Sequence, residues 1–139
     1  VEDHKGEIAL PGGRVEAHDG SVEEAALRET HEEMGIIPKD IDVLGQLDGV
    51  ATISNYAVTP FVGTIPYPYT FDPSPGEVAE VIEVPVGVLG DPRSHRSQTW
   101  LVDGRREDRV AYAHDGNVIW GATAMILGSF LERVNGAVT

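Results

Sequence analysis

The most informative segment of this chain reads RETHEE and runs from Arg28 to Glu33. On an α-helix, which turns by about 100° per residue, Glu29, Glu32 and Glu33 lie on one face because positions i, i+3 and i+4 are neighbours. Carboxylates at these spacings repel one another, and a divalent cation that prefers oxygen ligands, such as Mg²⁺, Mn²⁺ or Ca²⁺, would offset the repulsion. The pattern therefore favours a metal site on a helix, with a solvated acidic face and an Arg28–Glu32 ion pair as the alternative.

The residues around this segment predict where the helix begins and ends. Ser21 and Glu24 have the spacing of a capping box, and Gly35 is a typical residue at a helix C-terminus. We therefore predict a helix over residues 21–34. A second helix is predicted from about Gly121 to Val134, where apolar side chains recur at helical spacing.

A glycine-rich segment, Leu10 to Gly20, precedes the first helix. The adjacent Gly12 and Gly13 allow the backbone to approach an ion or a phosphate closely and to present its amide and carbonyl groups there. The segment lacks the G-x-x-x-x-G-K-[ST] pattern of a Walker-type loop. A glycine pair followed by an acidic helix therefore indicates metal-assisted phosphate chemistry.

Outside the two helices, runs of β-branched and aromatic residues predict strands. The predicted strands are Ile8 to Leu10, Val43 to Val50, Ile53 to Ile65, Val78 to Val84, Gln98 to Val102, Val110 to His114 and Val118 to Trp120. Strands interleaved with two long helices predict an α/β sandwich whose sheet is covered on both faces.

Two segments are predicted as loops. Pro66 to Pro75 contains four of the nine prolines, which disfavour a strand, and we expect it to connect a hairpin. Asp91 to Arg109 contains half of the ten basic residues, namely Arg93, Arg96, Arg105, Arg106 and Arg109.

The composition excludes several classes of function. With 10 Lys and Arg against 23 Asp and Glu, the net charge of −13 disfavours binding to nucleic acid or to an anionic membrane surface. The chain has no cysteine, so it forms no disulfide, thiolate nucleophile or zinc–thiolate site. No apolar stretch reaches the ~18 residues that a transmembrane helix needs. We therefore expect a soluble, cytoplasmic protein.

The length of 139 residues suits one domain, and we predict a single domain over residues 1–139. The chain begins with Val1 rather than a methionine, which leaves open that an N-terminal segment is missing.

The glycine-rich segment and the acidic helix together resemble the signature of the Nudix hydrolases. That signature runs G, five residues, E, seven residues, R-E, an apolar residue, any residue, E-E, any residue, G and an apolar residue. Here Gly13 is followed after five residues by Asp19, and after eight more by the segment from Arg28 to Ile36. Asp19 replaces the glutamate, one extra residue precedes Arg28, and Thr30 replaces the apolar residue.

The opening of this box is similar to one subgroup, the coenzyme A pyrophosphatase-like proteins, in which G-G-x-V-[DE]-x-x-D-x-S is familiar. Segments 4–13, 58–63, 77–85 and 119–124 are also similar to that subgroup, so the likeness covers most of the chain. Glu2 stands where the subgroup has an arginine, and Leu10 stands where it has a phenylalanine.

The resemblance implies a Nudix-type α/β/α sandwich with a mixed sheet. It also implies metal-dependent hydrolysis of a pyrophosphate bond in a small nucleoside diphosphate derivative, with coenzyme A as the first candidate. The products would be adenosine 3′,5′-bisphosphate and 4′-phosphopantetheine. The alternatives are another substrate, such as ADP-ribose, a dinucleoside polyphosphate or a nucleoside triphosphate, and a non-catalytic nucleotide-binding module. A homodimer is left open.

The resemblance further implies which residues act. Glu29 and Glu33 would bind Mg²⁺ or Mn²⁺ directly, Glu32 would complete the set or act through water, and the Gly12 carbonyl is a further candidate ligand. Arg28 would orient these carboxylates, with an ordinary helix ion pair as its alternative role.

The general base is a box glutamate or one from a distant loop in this family. Here Glu77 is the favoured loop candidate, with Glu80 considered beside it. The arginines between Arg93 and Arg109 would bind the ribose phosphate of coenzyme A, because a guanidinium can hold phosphate bidentately. Solvated surface charge is the alternative for each of them.

Overall fold

The computed structural model describes residues 8–51 and 57–138. In chain order the elements are α1 (Val22–Met34), a 3₁₀ turn (Pro38–Asp40), β1 (Asp42–Gln46), β2 (Val50–Ala51), β3 (Ala57–Val58), β4 (Phe61–Thr64), α2 (Val86–Leu89), a second 3₁₀ turn (Pro92–Ser94), β5 (His95–Val102), β6 (Arg105–His114), β7 (Asn117–Ile119) and α3 (Gly121–Val138). None of the helices in the described ranges is long and apolar enough to cross a bilayer.

These elements form two compact units. The described part of the first unit comprises residues 9–47 and 59–82, and that of the second comprises residues 8, 48–51, 57–58 and 83–138. The single domain over residues 1–139 stays a prediction.

Helix α1 of the first unit begins and ends as its sequence predicts. The Ser21 hydroxyl accepts a hydrogen bond from the Glu24 amide at 3.1 Å, and Gly35 ends the helix in the left-handed conformation at φ 72°. The capping box differs in one contact, since the Glu24 carboxylate accepts from the Gly20 amide at 2.8 Å, one residue before the N-cap. The predicted helix is confirmed.

The first unit also contains the antiparallel pair of β1 and β4, in which Asp42 lies opposite Thr64 and Gln46 opposite Phe61. The predicted strand over 43–50 is represented by β1 and by the first residue of β2, and residues 47–49 between them form no strand. The predicted strand over 53–65 is represented by β3 and β4, and its residues 53–56 lie outside the described residues.

Two predicted strands are wrong. Residues 8–10 and 78–84 form no strand. The Val78 amide donates to the Ser74 carbonyl at 2.8 Å, so a turn uses the group that a strand would need for its ladder. The segment Pro66 to Pro75 is a loop as predicted, but it does not connect a hairpin because no strand follows it directly.

In the second unit, β5, β6 and β7 form an antiparallel sheet in that order. Asp103 and Gly104, both at positive φ, join β5 to β6, and Asp115 and Gly116 join β6 to β7 in the same way. These are the residues that two-residue hairpin turns favour. The prediction of a loop from Asp91 to Arg109 is therefore wrong, because most of that segment is the β5–β6 hairpin.

Helix α3 packs on this sheet within the second unit and confirms the second predicted helix, extended to Val138. The core consists of Leu89, Tyr112, Ile119 and Ala124, and Leu127 and Leu131 of α3 pack against it. The helices and the antiparallel sheets together confirm the predicted α/β class.

Candidate active site

Arg28 organises the acidic face of α1. Its Nε and Nη2 atoms donate to the two carboxylate oxygens of Asp19 at 2.9 and 3.1 Å, and the Asp19 side chain is only 3% exposed. Its Nη1 atom donates to Glu29 at 2.9 Å and to Glu32 at 3.1 Å. One guanidinium therefore sets the positions of three carboxylates, two of them predicted metal ligands.

The Asp19–Arg28 contact alters the acidity of both partners. The hydrogen bonds from Arg28, and then the one from the Glu16 amide, lower the pKa of Asp19 below its ordinary value. The hydrogen bond to Asp19 likewise raises the pKa of Arg28. The pair is therefore ionised throughout the neutral range.

The glycine pair contacts the carboxylates of α1. The Gly12 amide donates to the Glu33 carboxylate at 2.9 Å. At Gly13 an added Cβ atom would lie 2.5 Å from the carboxyl carbon of Glu29, so the missing side chain provides the space that this carboxylate occupies. The glycine-rich segment thus holds Glu33 by a hydrogen bond and leaves space for the Glu29 carboxylate.

Glu33 lies at the centre of a group of negative charges. Burial is the largest cause that raises its pKa, and the charges of Glu29, Glu77 and Glu32 raise it further, whereas the hydrogen bond from Gly12 opposes the shift. The structure therefore brings Glu77 into the electrostatic environment of the box glutamates. Glu80 is not among the charges that raise the pKa of Glu33.

The donor chemistry of this group fits a divalent cation. All its side-chain donors are carboxylate oxygens, which Mg²⁺ and Mn²⁺ prefer, and Arg28 alone cannot neutralise the carboxylates it contacts. Within the described ranges, however, no three His, Asp or Glu side chains are arranged as a set of metal ligands. Glu29 and Glu32 point to Arg28 and Glu33 points to Gly12, so the three-carboxylate cation site stays a prediction.

Asp19 is the site residue whose role the sequence did not predict. Its position in the box match was visible, but its contact with Arg28 joins residues nine positions apart and depends on the path of the intervening loop. The carboxylate is also held by the Glu16 amide at 2.7 Å.

The arginines predicted for phosphate binding differ from one another. Arg93 pairs with Asp91 at 2.8 Å, and Arg109 pairs with Glu107 at 2.6 Å. Arg105 and Arg106 follow the turn of the β5–β6 hairpin, are exposed, and form no ion pair within the described part of the chain.

The chain is similar in sequence to known proteins. A family model described as NUDIX domain matches residues 2–99. The chain is 36% identical over 137 residues to "Uncharacterized Nudix hydrolase NudL" of Photorhabdus laumondii. The matched region covers 96% of the chain and 72% of the relative. It is 36% identical over 135 residues to the protein of the same name from Yersinia enterocolitica, covering 95% and 68%. For the Escherichia fergusonii protein the identity is 39% over 126 residues, covering 89% of the chain and 65% of the relative.

Proposed function

The chain belongs to the Nudix family of pyrophosphohydrolases, and we propose that its substrate is coenzyme A or a derivative of coenzyme A. The resemblance to the family and the predicted class of enzyme are confirmed. Nudix enzymes act on small nucleotide compounds and generally use divalent metals such as Mg²⁺ or Mn²⁺. The coenzyme A pyrophosphatase-like subgroup, the cytoplasmic location and the homodimer stay predictions.

The observation that supports metal-dependent hydrolysis in this proposal is the surroundings of Glu33. This partly buried carboxylate accepts from the Gly12 amide and lies within the field of Glu29, Glu32 and Glu77. Such a group of oxygen donors favours a divalent cation, and Glu29 and Glu33 would hold it, with Glu32 completing the set. When bound, the metal would neutralise charge on the pyrophosphate and lower the pKa of a bound water.

The net charge of −13 favours such a cation site. An anionic pyrophosphate is repelled by a chain with so large an excess of carboxylates. A cation site at the box glutamates provides local positive charge where the substrate must bind.

The remaining residues position the reactants. Arg28 holds the Glu29 and Glu32 carboxylates, and the Gly12 amide holds the Glu33 carboxylate. Water attacks one phosphorus of the pyrophosphate, the bond from that phosphorus to the bridging oxygen breaks, and Glu77 accepts the proton of the water. Coenzyme A would give adenosine 3′,5′-bisphosphate and 4′-phosphopantetheine.

The preference for coenzyme A is supported by the opening of the box, from Gly12 to Ser21, which is similar to that of the coenzyme A pyrophosphatase-like subgroup.

The proposal is tested by turnover of coenzyme A, ADP-ribose and a dinucleoside polyphosphate, each with Mg²⁺ and with Mn²⁺. We expect the highest kcat/KM with coenzyme A, and the two products named above. A higher kcat/KM with ADP-ribose or the dinucleotide would contradict the substrate assignment, and absence of turnover with every compound would favour a binding module.

A further inference from the structure

We infer that Tyr69 is a positioning residue that anchors residues 69–77, here called the strap, and that the strap holds Glu77 beside the box glutamates. The inference rests on the proposed function, in which Glu77 accepts the proton of the attacking water. All the contacts that support it lie within the first unit.

The anchor is the hydroxyl group of Tyr69. It accepts a hydrogen bond from the Ile37 amide at 3.0 Å and donates one to the Asp40 carboxylate at 2.8 Å. The ring also packs against Phe71, with the ring centroids 5.6 Å apart. The start of the strap is therefore fixed to the segment that directly follows α1.

The strap then supplies the C-terminus of α1 with hydrogen-bond donors. The last carbonyl groups of a helix lack partners within the helix. Here the Asp72 amide donates to the Met34 carbonyl at 2.9 Å, and the Ser74 amide donates to the Glu33 carbonyl at 2.8 Å. Glu33 is thus held twice, through its carboxylate by Gly12 and through its carbonyl by Ser74.

Gly35 allows the strap to approach the helix this closely. A Cβ atom added at Gly35 would lie 2.6 Å from the Cβ of Asp72 and 2.8 Å from the Asp72 carbonyl oxygen. Because one of these neighbours is backbone, any side chain at Gly35 would displace the strap. The glycine therefore serves the strap as well as the left-handed turn that ends α1.

A tight turn connects the strap to the carboxylate it carries. The Glu77 and Val78 amides both donate to the Ser74 carbonyl, at 3.1 and 2.8 Å. Glu77 is therefore only three residues from the Ser74 contact with Glu33. The contacts from Tyr69 to Glu77 form a continuous path between the anchor and the proposed base.

A double-mutant cycle with coenzyme A tests this path. We expect Tyr69→Phe to lower kcat about tenfold with KM changed less than about twofold, because a small displacement of a catalytic group slows the chemical step. Glu77→Gln should lower kcat by about 10²-fold or more. In the Glu77→Gln background, Tyr69→Phe should lower kcat less than about twofold, because residues that act through one another are not additive.

Tyr67 offers a matched control, since it lies two residues before Tyr69 and its side chain is 87% exposed. Tyr67→Phe should leave kcat unchanged. If Tyr69→Phe fails to fold, Asp40→Ala provides a second way to disrupt the anchor. Its effect on kcat should likewise be smaller in the Glu77→Gln background.

The outcomes separate the inference from the proposed function. If Tyr69→Phe and Asp40→Ala lower kcat by the same factor in both backgrounds, Tyr69 does not act through Glu77, and the inference is overturned while the base assignment survives. If Glu77→Gln leaves kcat unchanged, the base assignment itself is wrong.

Discussion

Arg28 in the first unit and Arg93 in the second show how differently one residue type is used. The Arg28 side chain is 16% exposed and contacts Asp19, Glu29 and Glu32. The Arg93 side chain is 91% exposed and contacts Asp91. Exposed ion pairs are screened by water and contribute little to stability. A partly buried guanidinium that donates hydrogen bonds to several carboxylates fixes their geometry. We therefore assign a role in the site to Arg28 and none to Arg93.

The largest effect expected from this comparison is that of Arg28→Lys. Lysine keeps the positive charge but loses the planar fork, so it cannot hold Asp19 bidentately and contact Glu29 and Glu32 at once. We expect kcat to fall about 10²-fold. Arg93→Lys is the matched control and should leave kcat unchanged. Equal kcat values for the two variants would remove the distinction between the two arginines.

The glycine pair gives a second comparison, with a smaller effect. Gly13→Ala places a methyl group where the Glu29 carboxylate lies, whereas an added Cβ at Gly12 meets nothing within 4 Å. Because a carboxylate at the end of a flexible side chain can move, we expect Gly13→Ala to lower kcat about tenfold with little change in the melting temperature. Gly12→Ala should resemble the parent protein in both measurements, and an equal loss of activity in the two variants would contradict the proposed contact.

The exposed arginines of the β5–β6 hairpin are expected to affect binding rather than catalysis. Replacing Arg105 and Arg106 by alanine should raise KM for coenzyme A about fivefold, since a lost charge-assisted contact weakens binding. KM for coenzyme A without its ribose 3′-phosphate should change less. Equal changes for both compounds would show that these arginines do not bind that phosphate.

The smallest expected effect concerns the pH dependence of stability. Asp19 has a pKa in the folded protein below its ordinary value of 3.8, so it stabilises the fold above that pH and loses this contribution as the pH falls through the folded-state pKa. Melting temperatures of the parent protein and Asp19→Asn should therefore differ at pH 7 and converge at lower pH. A difference that stays constant as the pH falls from 7 through the acid range, until the protein unfolds, would contradict the assignment.

Local signals predicted the first helix, because its N-cap and its glycine stop act within a few residues. Helical spacing also suggested the Arg28–Glu32 ion pair as the alternative to a metal site, and the structure has this contact. The Asp103–Gly104 dipeptide is an equally local hairpin signal, and it lies inside the segment 91–109 that was predicted as a loop.

Other features depend on contacts far apart in sequence. The run 78–84 has strand-forming residues, but a strand also needs a partner, and here the chain turns at Ser74 instead. The anchor of the strap joins Tyr69 to Asp40, 29 residues away, and no periodicity or spacing indicates that pair. The role of Asp19 could not be predicted for a related reason, because its contact with Arg28 depends on the path of the loop between them.

The central claim is that Glu29, Glu32 and Glu33 hold a divalent cation, and Mn²⁺ titration followed by electron paramagnetic resonance tests it directly. We expect the parent protein to bind Mn²⁺ and Glu33→Gln to bind it at least about tenfold more weakly, with kcat reduced about 10³-fold. Glu23→Gln, at an exposed position on the same helix, should bind Mn²⁺ like the parent protein. Undiminished Mn²⁺ affinity in Glu33→Gln would contradict the account.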